Sequence, residues 1–178
     1  TDRHHCFHTA CVATISDSNP EQRTVVIRHV DFKNQIIEFH TDIRSGKCND
    51  IQHSNQVSML FYDIEEKMQL RFLATATIEH KTPAADKRWH TLSLASKRCY
   101  LSQAHPGKII DRPHSHLPSS LQNRSPSMID SQAGYENFAI ISCHFSKLDC
   151  LNLDSQGHKR CFFQWENFEL VNAQWIAP

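Results

Sequence analysis

Between Arg23 and Lys47 the chain sets out the groups that an anionic, partly planar ligand requires. Arg23-Thr-Val-Val-Ile-Arg-His-Val-Asp31 and Ile36-Ile-Glu-Phe-His-Thr-Asp42 read as two apolar strands edged with cationic and hydroxyl side chains, and Arg44-Ser-Gly-Lys47 follows as a turn that opens a helix. Strand backbone can lie flat against a ring. A Gly-containing turn, a helix N-terminus, the Ser45 hydroxyl and the Lys47 ammonium together suit a phosphate. Each group also has an ordinary explanation: Arg23 and Arg28 as charges on an edge strand, Ser45-Gly-Lys47 as a helix cap, Gln69 and Arg71 as barrel-surface residues. Arg23 and Arg28 are separated by an odd interval, so a regular strand would point them to opposite faces about 16 Å apart at roughly 3.3 Å per residue. One pocket receives both only if the strand bends or bulges, or if Arg28 serves a neighbouring site across a dimer.

The elements that must position these groups are mostly strands. Residues 7 to 15 read as a strand ending at the turn Asp17-Ser-Asn-Pro20, and 23 to 30 as a second, rich in β-branched residues. Asp31-Phe-Lys-Asn-Gln35 supplies a hairpin connection to a third at 36 to 41; 44 to 54 reads as a short helix burying Cys48 and Ile51. Strands at 56 to 63 and 67 to 80 follow, joined by Ile64-Glu-Glu66, and such short links imply antiparallel order. Thr82-Pro83 predicts a helix from 83 to about 101 with Trp89, Leu92 and Leu94 facing inward. From Ala104 to Gly134 the chain is rich in Pro, Ser, His and Gln, which predicts a long loop, a lid or a partly disordered insertion. Strands resume at 136 to 148, 149 to 154 and 159 to 165, and Leu170 to Trp175 closes the chain. At least seven strands with two inserted helices predict a mainly β fold, a closed or split barrel in one domain over 1–178.

Composition narrows the function classes. The 178 residues carry 19 basic and 19 acidic side chains, without the positive excess that general nucleic-acid or anionic-membrane binding would need. No apolar run approaches the roughly 20 residues of a membrane helix and no signal-like segment opens the chain, so a soluble, cytoplasmic protein is expected. The chain opens inside a polar segment, which suggests residues upstream. Seven cysteines without a Cys-x-x-Cys pair argue against a disulfide framework or zinc ribbon; most are expected to be small buried hydrophobes. In a strand, His4, Cys6 and His8 would share a face, but no second cluster has metal-site spacing, so no metal is expected.

The order of motifs resembles the pyridoxamine 5'-phosphate oxidase family of FMN-binding split barrels. The resemblance is carried by Ala10-Cys-Val-Ala-Thr-Ile15, Arg23-Thr-Val-Val-Ile-Arg28, Phe39-His-Thr41, Ser45-Gly-Lys47, residues 55 to 61 and Met68-Gln-Leu-Arg71, with a fainter echo at His158-Lys-Arg160 and Trp175-Ile-Ala-Pro178. It implies that Arg23, Ser45 and Lys47 hold the FMN phosphate, that the backbone of Thr24, Val25 and Val26 lies along the isoalloxazine ring, and that His40, Thr41 and Gln69 contact the flavin. Arg160 corresponds to an arginine contributed by the partner subunit, since the family builds its sites across a homodimer interface. Arg28 and His158 correspond to the substrate side.

Departures from the family pattern separate cofactor from substrate. The phosphate turn usually reads Ser-Arg-Lys; here Gly46 removes one cation, which Arg44 replaces only from the wrong side. Arg28 stands for a lysine that faces pyridoxal phosphate, Gln156-Gly-His158-Lys-Arg160 lacks the first arginine of Arg-x-His-x-Arg, and Cys150 or Leu151 stands near an absent tryptophan. The helical Tyr-x-x-x-Arg-x-x-x-Ser that binds the substrate phosphate is not recognisable around Trp89, Ser93 and Lys97. The reading is therefore a divergent, homodimeric FMN-dependent oxidoreductase acting on an unidentified small substrate. The alternatives are a non-catalytic protein that binds or carries FMN, haem or a deazaflavin, and a strand-rich interaction module with no cofactor. Trp89, Trp165 and Trp175 are expected as core or dimer-interface aromatics.

Overall fold

The computed structural model describes residues 4–178. Eight strands form one sheet: β1 (Thr9–Ser16), β2 (Asn19–Asp31), β3 (Ile36–Asp42), β4 (Gln56–Asp63), β5 (Met68–Glu79), β6 (Phe138–Asn152), β7 (Lys159–Glu166) and β8 (Glu169–Ile176). Their order is β3-β2-β1-β4-β5-β6-β7-β8, and β6 also pairs with β3. That extra pairing closes the first six into an antiparallel barrel, the predicted split-barrel class, and leaves β7 and β8 as an extension. Four helices complete the fold: α1 (Gly46–His53), α2 (Pro83–Thr91), α3 (Leu94–Arg98) and α4 (Met128–Gln132). Among the described residues no helix is long and apolar enough to cross a membrane.

The contacts divide the chain into two compact units. The first contains residues up to His40, Asp50–Thr77 and Ile141–Pro178, hence most of the barrel. Period-two alternation builds its core: Val12, Phe39, Met59 and Ile141 are fully buried, and Phe61, Phe72 and Phe145 form an edge-to-face chain with centroids 5.6 and 5.0 Å apart. The β1–β2 hairpin pairs Ser16 with Asn19 across Asp17 and Ser18, both at positive φ. This two-residue turn matches strand twist, so β2 begins four residues earlier than predicted. In β2 the register slips between Ile27 and His29, leaving Arg28 as the bulged residue. A bulge, one of the alternatives that the odd Arg23–Arg28 interval raised, is present.

Predicted strands at 136 to 148 and 149 to 154 are one 15-residue strand, β6. Asp149 does not interrupt it because its carboxylate accepts from Arg160 Nε and Nη2 at 2.9 and 2.6 Å and from Arg71 on β5. This ion cluster stitches β5, β6 and β7 on one face. The strand expectation for His4, Cys6 and His8 also fails: Cys6–His8 is a 3₁₀ turn, where face-sharing by alternation does not apply. Of the cysteines only Cys48 and Cys143 are buried, so most are not core residues as expected. Burial pushes the Cys143 thiol up to about 12.

The second unit contains Thr41–Asn49 and Ile78–Ile140. Its core is Ala85, Trp89, Tyr100, Phe138 and Ile140, with Leu92 and Tyr135 packed against it. Thr82 caps α2 by accepting from the Ala85 N–H at 3.2 Å, with Pro83 following. The single helix predicted to about 101 is instead two: Leu92 takes extended backbone, and Ser93 starts α3 by accepting from the Ser96 N–H. Serine competes for backbone hydrogen bonds, which favours a fresh cap over continuation. The 104–134 segment is tied down rather than featureless. It holds a 3₁₀ turn at Ser119–Leu121 and α4 with its Ser127/Asp130 capping box, and Arg98 donates to the carbonyls of Gln122 and Arg124.

Two predictions follow from this packing. A Cβ at Gly134 would lie 3.2–3.3 Å from Trp89 Cη2, Leu101 Cδ2 and the Lys97 carbonyl, so Gly134→Ala is expected to cost about 1–2 kcal/mol in denaturant unfolding by overpacking; an unchanged midpoint would refute it. The hydrogen bond from Arg160, ahead of that from Arg71, holds the Asp149 carboxyl below its ordinary value. That stabilisation is present above the unfolded carboxylate value of ~3.9 and is lost as pH falls through the folded one. Asp149→Asn should therefore lose about 1–2 kcal/mol at pH 7, a figure reduced for the half-exposed Arg71, and the gap to the unmodified protein should close under acid. A gap independent of pH would exclude the ion cluster as its source.

Candidate functional site

In the second unit, Thr41 lies in the last residues of β3 and Ser45 precedes α1, and both are buried, at 7% and 5% exposure. The Ser45 N–H donates to the Asp42 carbonyl at 3.0 Å and the Cys48 N–H to the Ser45 carbonyl at 2.9 Å, so the turn leads directly into the helix. Lys47 Nζ lies 3.0 Å from Thr41 Oγ1 and 3.1 Å from Ser45 Oγ, and the two hydroxyls are 3.2 Å apart. An ammonium and two hydroxyls thus converge at a helix N-terminus. At Gly46 between them, an added Cβ would meet nothing within 4 Å. This donor set fits a phosphate dianion: charge-assisted donors, a favourable helix end and open space in front of the turn.

Arg44 does not join this cluster. Its Nε and Nη2 make a fork with the Asp42 carboxylate at 2.9 and 2.6 Å, and Nη2 also donates to the Ser102 carbonyl at 3.0 Å. The substitute cation expected from sequence is committed elsewhere. Arg44 lines a cleft of about 350 Å³ in the same unit together with Tyr100, Ser102, Gln103, Leu121 and Asn137.

In the first unit, Arg23 is half-buried and turned toward the hairpin interior. It donates to the Thr14 hydroxyl and the Glu21 carbonyl and lies 3.6 Å from Asp50 Oδ2; Thr14 Oγ1 donates to the same carboxylate at 2.6 Å. Thr14 and Asp50 are 1% and 4% exposed, so this is a buried carboxylate with its partners supplied. Thr24 is exposed, Val25 places its side chain in the core and Val26 is half-buried, so this stretch offers a ligand mainly its backbone. Gln69 is half-buried on β5 opposite Tyr62, and His40 is half-buried on β3. Arg160 is held by Asp149 together with Arg71, while Arg28 and His158 are exposed.

Thr41, Ser45 and Lys47 are therefore brought together. Arg23 and Arg160 each meet an acidic partner that sequence reading did not anticipate. Asp50, Asp149 and Thr14 carry no local signal for these roles: the first two pair with arginines 27 and 11 residues away, and only the folded register shows it.

Comparison with known proteins finds similar sequences and folds. Residues 1–80 match the family described as "Pyridoxamine 5'-phosphate oxidase, FMN-binding domain". Pyridoxine/pyridoxamine 5'-phosphate oxidase 2 of Arabidopsis thaliana is 25% identical over 169 residues, covering 89% of this chain and 80% of the relative. The pyridoxine/pyridoxamine 5'-phosphate oxidase of Proteus mirabilis is 36% identical over 67 residues, which are 37% of this chain and 30% of that protein. Among solved structures, a pyridoxamine 5'-phosphate oxidase-related, FMN-binding protein of Nostoc punctiforme aligns over 96% of this chain and 88% of its own with a TM-score of 0.78 at 22% identity. PhzG of Burkholderia lata, solved with tetrahydrophenazine-1-carboxylic acid, aligns over 96% and 82% with a TM-score of 0.74 at 15% identity; both show the fold. The first 80 residues thus match the family's FMN-binding domain, and the chain has the split-barrel fold of these solved structures.

Proposed function

We propose that the protein is a homodimeric, FMN-dependent oxidoreductase acting on a small molecule other than pyridoxamine 5'-phosphate. The observation that carries the cofactor half is the convergence of Lys47 Nζ with the Thr41 and Ser45 hydroxyls at the start of α1. In this reading the three side chains and the first amides of α1 hold the FMN phosphate. The backbone of Thr24, Val25 and Val26, with His40 and Gln69, borders the ring, and Arg160 comes from the partner subunit. Arg23 acts through Thr14 and Asp50, fixing the hairpin that carries that backbone. Bound FMN would supply hydride acceptance from substrate.

The substrate half rests on burial. Trp89 and Lys97 stand where the family's substrate-phosphate helix would present its ligands, but they are 5% and 3% exposed, with the Lys97 ammonium 5.2 Å from the Trp89 ring centroid. Side chains committed to a core cannot receive a substrate phosphate. In the first unit Arg28 and His158 remain exposed for a substrate. The same loss of family ligands favours the second reading, a protein that binds FMN without turnover.

The visible absorption spectrum of the purified protein tests the cofactor: bound flavin is expected, and a colourless protein whose melting temperature ignores added FMN would overturn the proposal. Peroxide release with candidate substrates then separates oxidase from carrier, and turnover of pyridoxamine 5'-phosphate at the rate of a true oxidase would overturn the substrate reading. Lys47→Ala should weaken FMN binding about 10- to 100-fold, the loss of charge-assisted hydrogen bonds worth about 1.5–3 kcal/mol, with the unfolding midpoint kept; unchanged affinity would remove Lys47 from the site. Conversely, Gly46→Arg restores the family's second cation into open space and should tighten FMN binding by roughly threefold. Fluorescence titration reads both, and weaker binding by Gly46→Arg would mean that the turn does not face the phosphate.

A further inference from the structure

The face of the β5–β6–β7 ladder opposite the Arg71–Asp149–Arg160 cluster carries three sulfur atoms. Strand alternation puts Cys150 on the other side from Asp149, and Cys161 on the other side from Arg160. Cys150 and Cys161 are directly opposed in the antiparallel register, where Cβ atoms stand about 4.5–5.5 Å apart. From β5, Met68 brings its Sδ to 3.1 Å from Cys150 Sγ. All three residues are half-buried, so the sulfurs are sheltered but reachable. They belong to the same unit and take no part in the flavin site proposed above.

We propose that Met68, Cys150 and Cys161 form a three-sulfur site for a soft monovalent cation, copper(I). Thiolate and thioether donors select soft ions, and a thioether donor argues against magnesium, calcium and manganese, which take oxygen ligands, and against zinc, which is bound by thiolate, imidazole and carboxylate. Three donors from three adjacent strands suit the low coordination number of copper(I). On binding, each cysteine loses its proton to solvent as its Cu–S bond forms, so two protons leave per ion, the thioether adds a lone pair, and no electron is transferred. The complex carries one negative charge, and the ion cluster on the opposite face, with two guanidiniums and one carboxylate, carries one positive charge. Without a cation, burial and the neighbouring Cys161 keep the Cys150 thiol protonated, pushed up to about 11. A bound cation opposes both causes.

The test is an anaerobic titration of the protein, in its purified flavin state, with copper(I) against bicinchoninate. One ion retained per chain is expected, with three Cu–S distances near ~2.3 Å by X-ray absorption, taking the metal–thiolate length of zinc as a guide. Cys150→Ser and Cys161→Ser should each lower retention at least tenfold. Met68→Leu, which keeps the side-chain volume, should lower it several-fold, and Cys99→Ser, at an exposed cysteine, should leave it unchanged. Copper lost to the chelator by the unmodified protein, retention that survives either cysteine substitution, or an equal loss in Cys99→Ser would overturn the site. If a serine variant does not fold, Met68→Leu decides: unchanged retention and only two sulfur neighbours would exclude the three-sulfur site. Flavin absorption recorded in the same samples keeps a failure here distinct from a failure of the flavin reading.

Discussion

The hydrogen bonding of one strand, β6, is the constraint on which the rest of the barrel depends. It pairs with β5, with β3 and with β7, so it closes the six-stranded barrel and also anchors the extension. An open sheet would leave edge amides and carbonyls to water or to other chains; closure satisfies them within the molecule and fixes the register of every strand in turn. The core follows from that register. Phe145 on β6 meets Phe72 on β5 and Trp165 on β7 at 5.0 and 5.4 Å, so the aromatic chain that fills the barrel also runs out to β7.

Neutral overall charge is matched by local pairing. Among the 19 basic and 19 acidic residues, four arginines stand beside acids: Arg23 meets Asp50, Arg44 meets Asp42, and Arg71 and Arg160 share Asp149. A carboxylate taken out of water without a partner would cost several kcal/mol, so these arginines are explained first by the acids beside them. The Lys47 ammonium also lies among the hydroxyls of Thr41 and Ser45 at a helix start, and Arg23 is tied to the β1–β2 hairpin through the Thr14 hydroxyl and the Glu21 carbonyl.

What could be read from sequence divides along range. The β1 to β5 strands and α1 were legible because their signals are local: alternation, the Asp17-Ser18 turn, the Ser45-Gly-Lys47 helix start. Counting residues between Arg23 and Arg28 also raised a bulge, beside a bend or a neighbouring site across a dimer. The single β6, the break at Leu92 and the tethering of the 104–134 segment were not legible. The first and last are decided by distant partners, Arg71 and Arg160 for Asp149 and Arg98 for the carbonyls of Gln122 and Arg124, whereas the break at Leu92 turns on a local choice, the Ser93 side chain capping a new helix. The same limit applied to the site. Residue types and order named Ser45 and Lys47, with Arg23, for a phosphate and Thr41 among the flavin contacts, whereas the convergence of Thr41 on Ser45 and Lys47 and the acidic partners of Arg23, Arg44 and Arg160 became visible only in the folded register.

Alternation also explains how one short ladder can carry two unlike chemistries. Along β6, neighbouring Asp149 and Cys150 point to opposite faces: the first gathers guanidiniums from β5 and β7, the second meets sulfur from the same two strands. A one-residue slip of β7 would set Arg160 against the sulfur face and Cys161 against Asp149, separating a paired charge from its partner. The ion cluster therefore locks the register that juxtaposes Cys150 and Cys161, and the sulfur face exists because the charged face cannot be moved.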